Sequence, residues 1–145
     1  MRTFSSTRIL FAHPDRRLSG LYLPNLQEHF LMDSAHDGLT ALRKFKLNPS
    51  ALVVSDYHLP QLSGLALLRF IRGHPQFSPT PFVFLTDHPD NSEALSLGAN
   101  DWIEIQHSFP SHLIEKIYYH LSRTSFDKLA LVDNLYSVHW LLIFC

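Results

Sequence analysis

Short apolar runs alternate along this chain with longer stretches whose apolar residues recur at helical spacing. "RILFA" at 8–12, "FLMDS" at 30–34, "ALVVS" at 51–55, "PFVFLT" at 81–86 and "DWIEI" at 101–105 predict strands, the second weaker than the rest. Between them, the spacing predicts helices over 18–30, 38–48, 64–73, 90–98 and 110–122. Pro24 falls inside the first of these and should kink or shorten it. In the second, Leu39, Leu42, Phe45 and Leu47 gather near one helical face, and Asn48-Pro49 stops it. Gly73 and Gly98 mark the ends of the third and fourth, and an Asp/Asn cap opens the fourth. Ser111 or Pro110 lies near the start of the fifth.

Continuous apolar strands alternating with helices imply an α/β fold, a five-stranded parallel sheet wound on both faces. In such sheets the chemistry lies beyond the carboxyl ends of the strands. His13, Asp56 and Thr86 all fall at such ends. The alternation stops after Ser122. The chain divides into a lead over 1–7, one domain over 8–122 and an apolar extension over 123–145. That extension is either a packed helix or interface segment, or the cut-short end of a longer reading frame.

Composition narrows the classes. Hydrophobic residues make up 46% and charged ones 17% of 145 residues, the balance of one folded domain. A formal net charge of −1 advertises no nucleic-acid surface. The one cysteine, Cys145, excludes a disulfide framework and points to a reducing compartment, the cytoplasm. No run reaches the ~18 apolar residues of a membrane span. Ten histidines are scattered, with no ligand spacing that would mark a metal site.

"ALVVSDYHLPQLSGLALLRFIR" carries a resemblance. Its aspartate, the proline four residues on and the glycine eight on resemble the phosphoacceptor segment of response-regulator receiver domains, the chemotaxis-regulator-like, flavodoxin-like fold; Asp56, Pro60 and Gly64 match. "PFVFLTD" resembles the family's fourth strand, and "ALSLGANDWIEI" its Ala-Gly-Ala-Asp-aromatic stretch. The resemblance implies that Asp56 accepts a phosphoryl group, Thr86 senses it and Trp102 is a rotating aromatic switch. It implies Mg²⁺ at the site, a histidine kinase or phosphotransfer protein as donor, and a downstream protein partner or homodimer as output. It implies a bacterial source.

Four matched positions depart from the pattern. In "ILFAHPD", His13 and Pro14 stand where the family carries two acidic residues, with Asp15 one step late. In "IEIQH", Ile105 replaces a lysine and Gln106 the proline after it. Mg²⁺ prefers hard oxygen ligands, and His13 offers nitrogen. Only Asp56 and Asp15 remain as carboxylate ligands, so Mg²⁺ should bind weakly. His13 is a satisfied strand-end residue, a ligand for a softer metal or a pH-sensitive group beside Asp56. Trp102 reads equally as a large packing residue. The first expectation is a phosphorylation-controlled, non-enzymatic receiver. The alternative is a phosphorylation-independent pseudo-receiver serving as a scaffold or dimerisation module. An aspartyl-nucleophile phosphatase is disfavoured, because His58 stands where such an enzyme needs a second aspartate.

Overall fold

The computed structural model describes residues 4–124. The extension expected over 123–145 lies outside the described residues apart from its first two. The elements run β1 (Arg8–Ala12), α1 (Arg16–Gln27), β2 (Leu31–Ala35), α2 (Gly38–Leu47), β3 (Leu52–Ser55), α3 (Gly64–Gly73), β4 (Phe82–Thr86), α4 (Ser92–Ser96) and β5 (Asp101–Glu104). A 3₁₀ turn (Ile105–His107) follows, then α5 over residues 110–124. All strand pairs are parallel, in the order β2-β1-β3-β4-β5.

The apolar runs are continuous because both faces of the sheet are covered. Alternate residues serve opposite faces. Leu10, Val53, Phe82 and Phe84 pack with α2, α3 and α4. Ile9, Phe11, Leu52, Val54, Val83 and Leu85 pack with α1 and α5 through Tyr22, Leu26, Leu113 and Ile117.

Local chemistry accounts for the boundaries. α1 begins at Arg16, two residues before the expected start, because Asp15 is its N-cap and accepts from the Arg17 and Leu18 N–H groups. Pro24 neither ends nor excludes the helix: it lies on the exposed side, opposite buried Ser19, Tyr22 and Leu26. The Gly20 carbonyl that loses its partner is at an exposed position where water can replace it. Leu47, placed by its spacing near the apolar face of α2, is 79% exposed in the helix's last turn. α4 is only five residues long, shorter than expected.

Arg72, in the last turn of α3, fastens the far side of the sheet. Its guanidinium donates to the carbonyls of Ser78, Thr80 and Gly98 and to Asn100 Oδ1, at 2.6–3.0 Å. Asn100 Oδ1 also accepts from the Phe82 N–H. One side chain thus joins α3, the segment leading into β4 and the turn before β5. On the other face, the Asp101 carboxylate meets His120 Nε2 at 2.9 Å and Lys116 Nζ at 3.3 Å, tying β5 to α5.

Candidate functional site

The register builds the site. Ala12 lies between Ala35 and Ser55. The hydrogen bonding runs one residue past the strands, from His13 N to Ala35 O and from Asp56 N to Ala12 O. His13 and Asp56 therefore emerge side by side at the carboxyl edge. They are 4% and 6% exposed, with His13 Nε2 3.4 Å from Asp56 Oδ2.

Burial favours the neutral imidazole, and its tautomer follows from its neighbours. His13 Nδ1 accepts from the Asp15 N–H at 3.2 Å, so the ring hydrogen belongs on Nε2, the atom beside Asp56. Burial lowers the His13 pKa below its ordinary 6.5, and the nearby carboxylates of Asp56, Asp15 and Asp87 oppose that shift without reversing it. Neither His13 Nε2 nor Asp56 Oδ1 has a hydrogen-bond partner. Buried polar atoms without partners are costly, and their presence at a strand edge makes this pair a candidate site.

The loop after Asp56 is held from three directions. Gln61 has φ 67°, and the Leu62 N–H bonds back to the Pro60 carbonyl at 2.7 Å, a rare three-residue turn. The same carbonyl accepts from the Gly38 N–H at 3.0 Å, joining the loop to α2. Gly64 lies against the Asp56 carbonyl so closely that a Cβ would overlap it. Pro60 and Gly64 thus shape the backbone that carries Asp56.

The remaining candidates separate. Thr86 is fully buried at the end of β4, and its Oγ1 accepts from the His88 N–H at 3.2 Å. Trp102 is half-buried against Phe84 and Tyr57, with ring centroids 5.3 and 6.0 Å away. The Asp15 side chain is exposed and caps α1. Ile105 packs beside the core under α1 and α5 and offers no charge where the resemblance puts a lysine. One grouping was invisible in the sequence: His58 and His88, on the loops after β3 and β4, meet at 3.1 Å.

The response regulator receiver domain model matches residues 16–117. The chain belongs to this family. The match begins just past the loop that holds His13, Pro14 and Asp15. The transcriptional regulatory protein TrcR of Mycobacterium tuberculosis is 34% identical over 102 residues, covering 68% of this chain and 39% of that protein. A probable chemotaxis protein CheY of Rhizobium etli is 32% identical over 71 residues, 47% of this chain and 55% of that protein. The chain therefore spans about half or less of the curated relatives it matches. Among solved structures, the receiver domain of a signal transduction histidine kinase from Syntrophus aciditrophicus superposes with TM-score 0.72 at 25% identity, covering 81% of this chain and 91% of that one. The chemotaxis regulator CheY4 of Vibrio cholerae has the same fold, with TM-score 0.72 at 21% identity, covering 79% of this chain and 98% of that one. Receiver domains are signalling modules of two-component systems.

Receiver domains bind Mg²⁺ at an acidic site. The residues present here do not fit that ion. Mg²⁺ demands near-octahedral oxygen ligands. Position 13 offers a neutral imidazole, and the Asp15 carboxylate is engaged at the start of α1. Among the described residues, no three His, Cys, Asp or Glu side chains gather in a group that could hold a metal ion.

Proposed function

We propose that this chain is a cytoplasmic receiver whose Asp56 takes a phosphoryl group from a histidine kinase or phosphotransfer protein, and whose output is a protein contact. The observation that carries the reading is the buried, unpartnered Asp56 Oδ1 at the carboxyl edge of the sheet. This oxygen attacks the donor's phosphorus. A P–O bond forms, the P–N bond of the donor's phosphohistidine breaks, and the leaving imidazole keeps the electron pair. His13 Nε2–H stands ready as a donor to a phosphoryl oxygen. Thr86 senses the group, and Trp102 relays it to the face of α4, β5 and α5. Exposed Leu95, Phe109 and Tyr119 support an interface there, with a downstream protein or a second copy.

A second reading, phosphorylation-independent signalling, draws support from the neutral His13 and from Asp15's role as a helix cap. Intact mass after incubation with acetyl phosphate, with and without Mg²⁺ or Mn²⁺, separates the two. The proposed function requires a gain of one phosphoryl group that Asp56→Asn abolishes. No gain at saturating donor and metal would leave the second reading.

A further inference from the structure

We propose that His58 and His88 form a binding site for a soft divalent transition-metal ion, such as Cu²⁺, Ni²⁺ or Zn²⁺, on the rim of the Asp56 pocket. Each histidine lies two residues beyond a strand-end residue, His58 after Asp56 and His88 after Thr86. Parallel pairing of β3 with β4 carries both loops to the same edge of the sheet. There His58 Nε2 and His88 Nδ1 stand 3.1 Å apart, with the rings nearly perpendicular at 87°.

Two imidazole nitrogens on one ion, each at about 2.0–2.1 Å, lie roughly 2.9–3.4 Å apart, the edge of an octahedron or tetrahedron. The observed spacing falls inside that range. An ion can replace the single hydrogen now shared by the two rings once each ring turns to aim its nitrogen lone pair at the ion. The site is open to solvent, since His58 is exposed and His88 half-buried. It is also held in place: the Tyr57 ring stacks on His88 at 4.2 Å, tilted by only 8°. Imidazole donors select Cu²⁺, Ni²⁺ and Zn²⁺ over Mg²⁺. Among the described residues no third His, Cys, Asp or Glu completes the group. Water fills the remaining positions, and affinity is well below that of a closed site.

Such an ion would clamp the loops after β3 and β4 together. The His88 N–H holds Thr86 Oγ1, and the His88 ring lies 6.2 Å from the Trp102 ring. Metal occupancy thus reaches both residues read above as the phosphoryl switch, without needing a phosphoryl group.

The test is titration of the tag-free chain with Ni²⁺ or Cu²⁺, followed by tryptophan fluorescence. Trp102→Phe separates its signal from that of Trp140. Saturable quenching of Trp102 by one ion per chain is expected. It should weaken at least about tenfold in His58→Ala and in His88→Ala, and survive in Asp56→Asn and in His107→Ala. Melting curves of the histidine variants check that both remain folded. Quenching that survives both histidine substitutions, that disappears in Asp56→Asn, or that never saturates would overturn the assignment.

Discussion

Aspartate at position 13 would put a second carboxylate where a neutral imidazole now faces Asp56 Oδ2 at 3.4 Å. The shorter side chain stands back by about an ångström, so the two charges would lie roughly 4.5 Å apart. With an effective dielectric of about 20, the repulsion is about 4 kcal/mol. Binding a proton relieves part of it. Losing the His13 ring from its stack on Phe11, 6.2 Å away, adds a packing cost. The net loss for His13→Asp is about 2–4 kcal/mol, or roughly 6–16 °C in Tm for a domain of this size. The assay is thermal melting in chelator and then in millimolar Mg²⁺. In chelator the variant should melt well below the parent, and the gap should narrow at acidic pH as the carboxylates take up protons. Mg²⁺ should restore much of the loss, since the cation neutralises the new pair, while leaving the parent chain unmoved. A variant that melts with the parent in chelator would mean position 13 has no electrostatic contact with Asp56. A parent stabilised by Mg²⁺ as strongly as the variant would mean the native residues already hold the ion, against the fit argued above.

Three further outcomes are expected. Arg72→Met should cost about 2–4 kcal/mol in urea unfolding, because three carbonyls and an amide lose a charged donor at partly exposed positions; Arg72→Lys should recover little, since an ammonium cannot span the same fork. Gly64→Ala should cost about 1–3 kcal/mol or more, because its methyl must displace the Asp56 carbonyl, and the intact-mass assay should show altered Asp56 reactivity alongside the lower urea midpoint. For pH, the folded His13 prefers its neutral form below the ordinary 6.5, so the unfolded chain binds the proton first. Its contribution to stability is therefore complete above about pH 6.5 and lost as pH falls from there toward the folded value; His13→Asn should flatten that part of the curve of urea midpoint against pH.

Much of this architecture was legible because the determining signals are local. A strand buried on both faces must be apolar throughout, and LVVS and FVFLT could be little else. The helix ends were less legible. Asp15 belongs to the site motif by position and to the α1 cap by chemistry, and the cap engages its side chain. Leu47 fits the apolar spacing of α2 but lies in its last turn, where nothing covers it. Asp56 and Thr86 could be placed at strand ends from sequence, since the sheet's polarity fixes which ends matter. The contact between His13 and Asp56 depends on register, which only the paired strands define. The meeting of His58 and His88 depends on how two loops turn, and no spacing along the chain encodes it. The Arg72 latch was equally hidden, because most of its partners are backbone carbonyls that every residue carries.

That last property has a consequence for how the sequence can drift. A cation that grips carbonyls is indifferent to the side chains of the residues it holds. Ser78 and Thr80 can be exchanged for other residues while their carbonyls stay in place, and the latch survives. Arg72 and Asn100 have no such freedom: one supplies all the donors, and the other offers an amide oxygen that also receives the Phe82 N–H. Variation in this region should therefore be uneven, with Arg72, Asn100 and the left-handed Gly98 (φ 97°) fixed among replaceable positions. In a library of variants selected for folding alone, the segment leading into β4 should tolerate most substitutions, while nearly every change at Arg72 is lost.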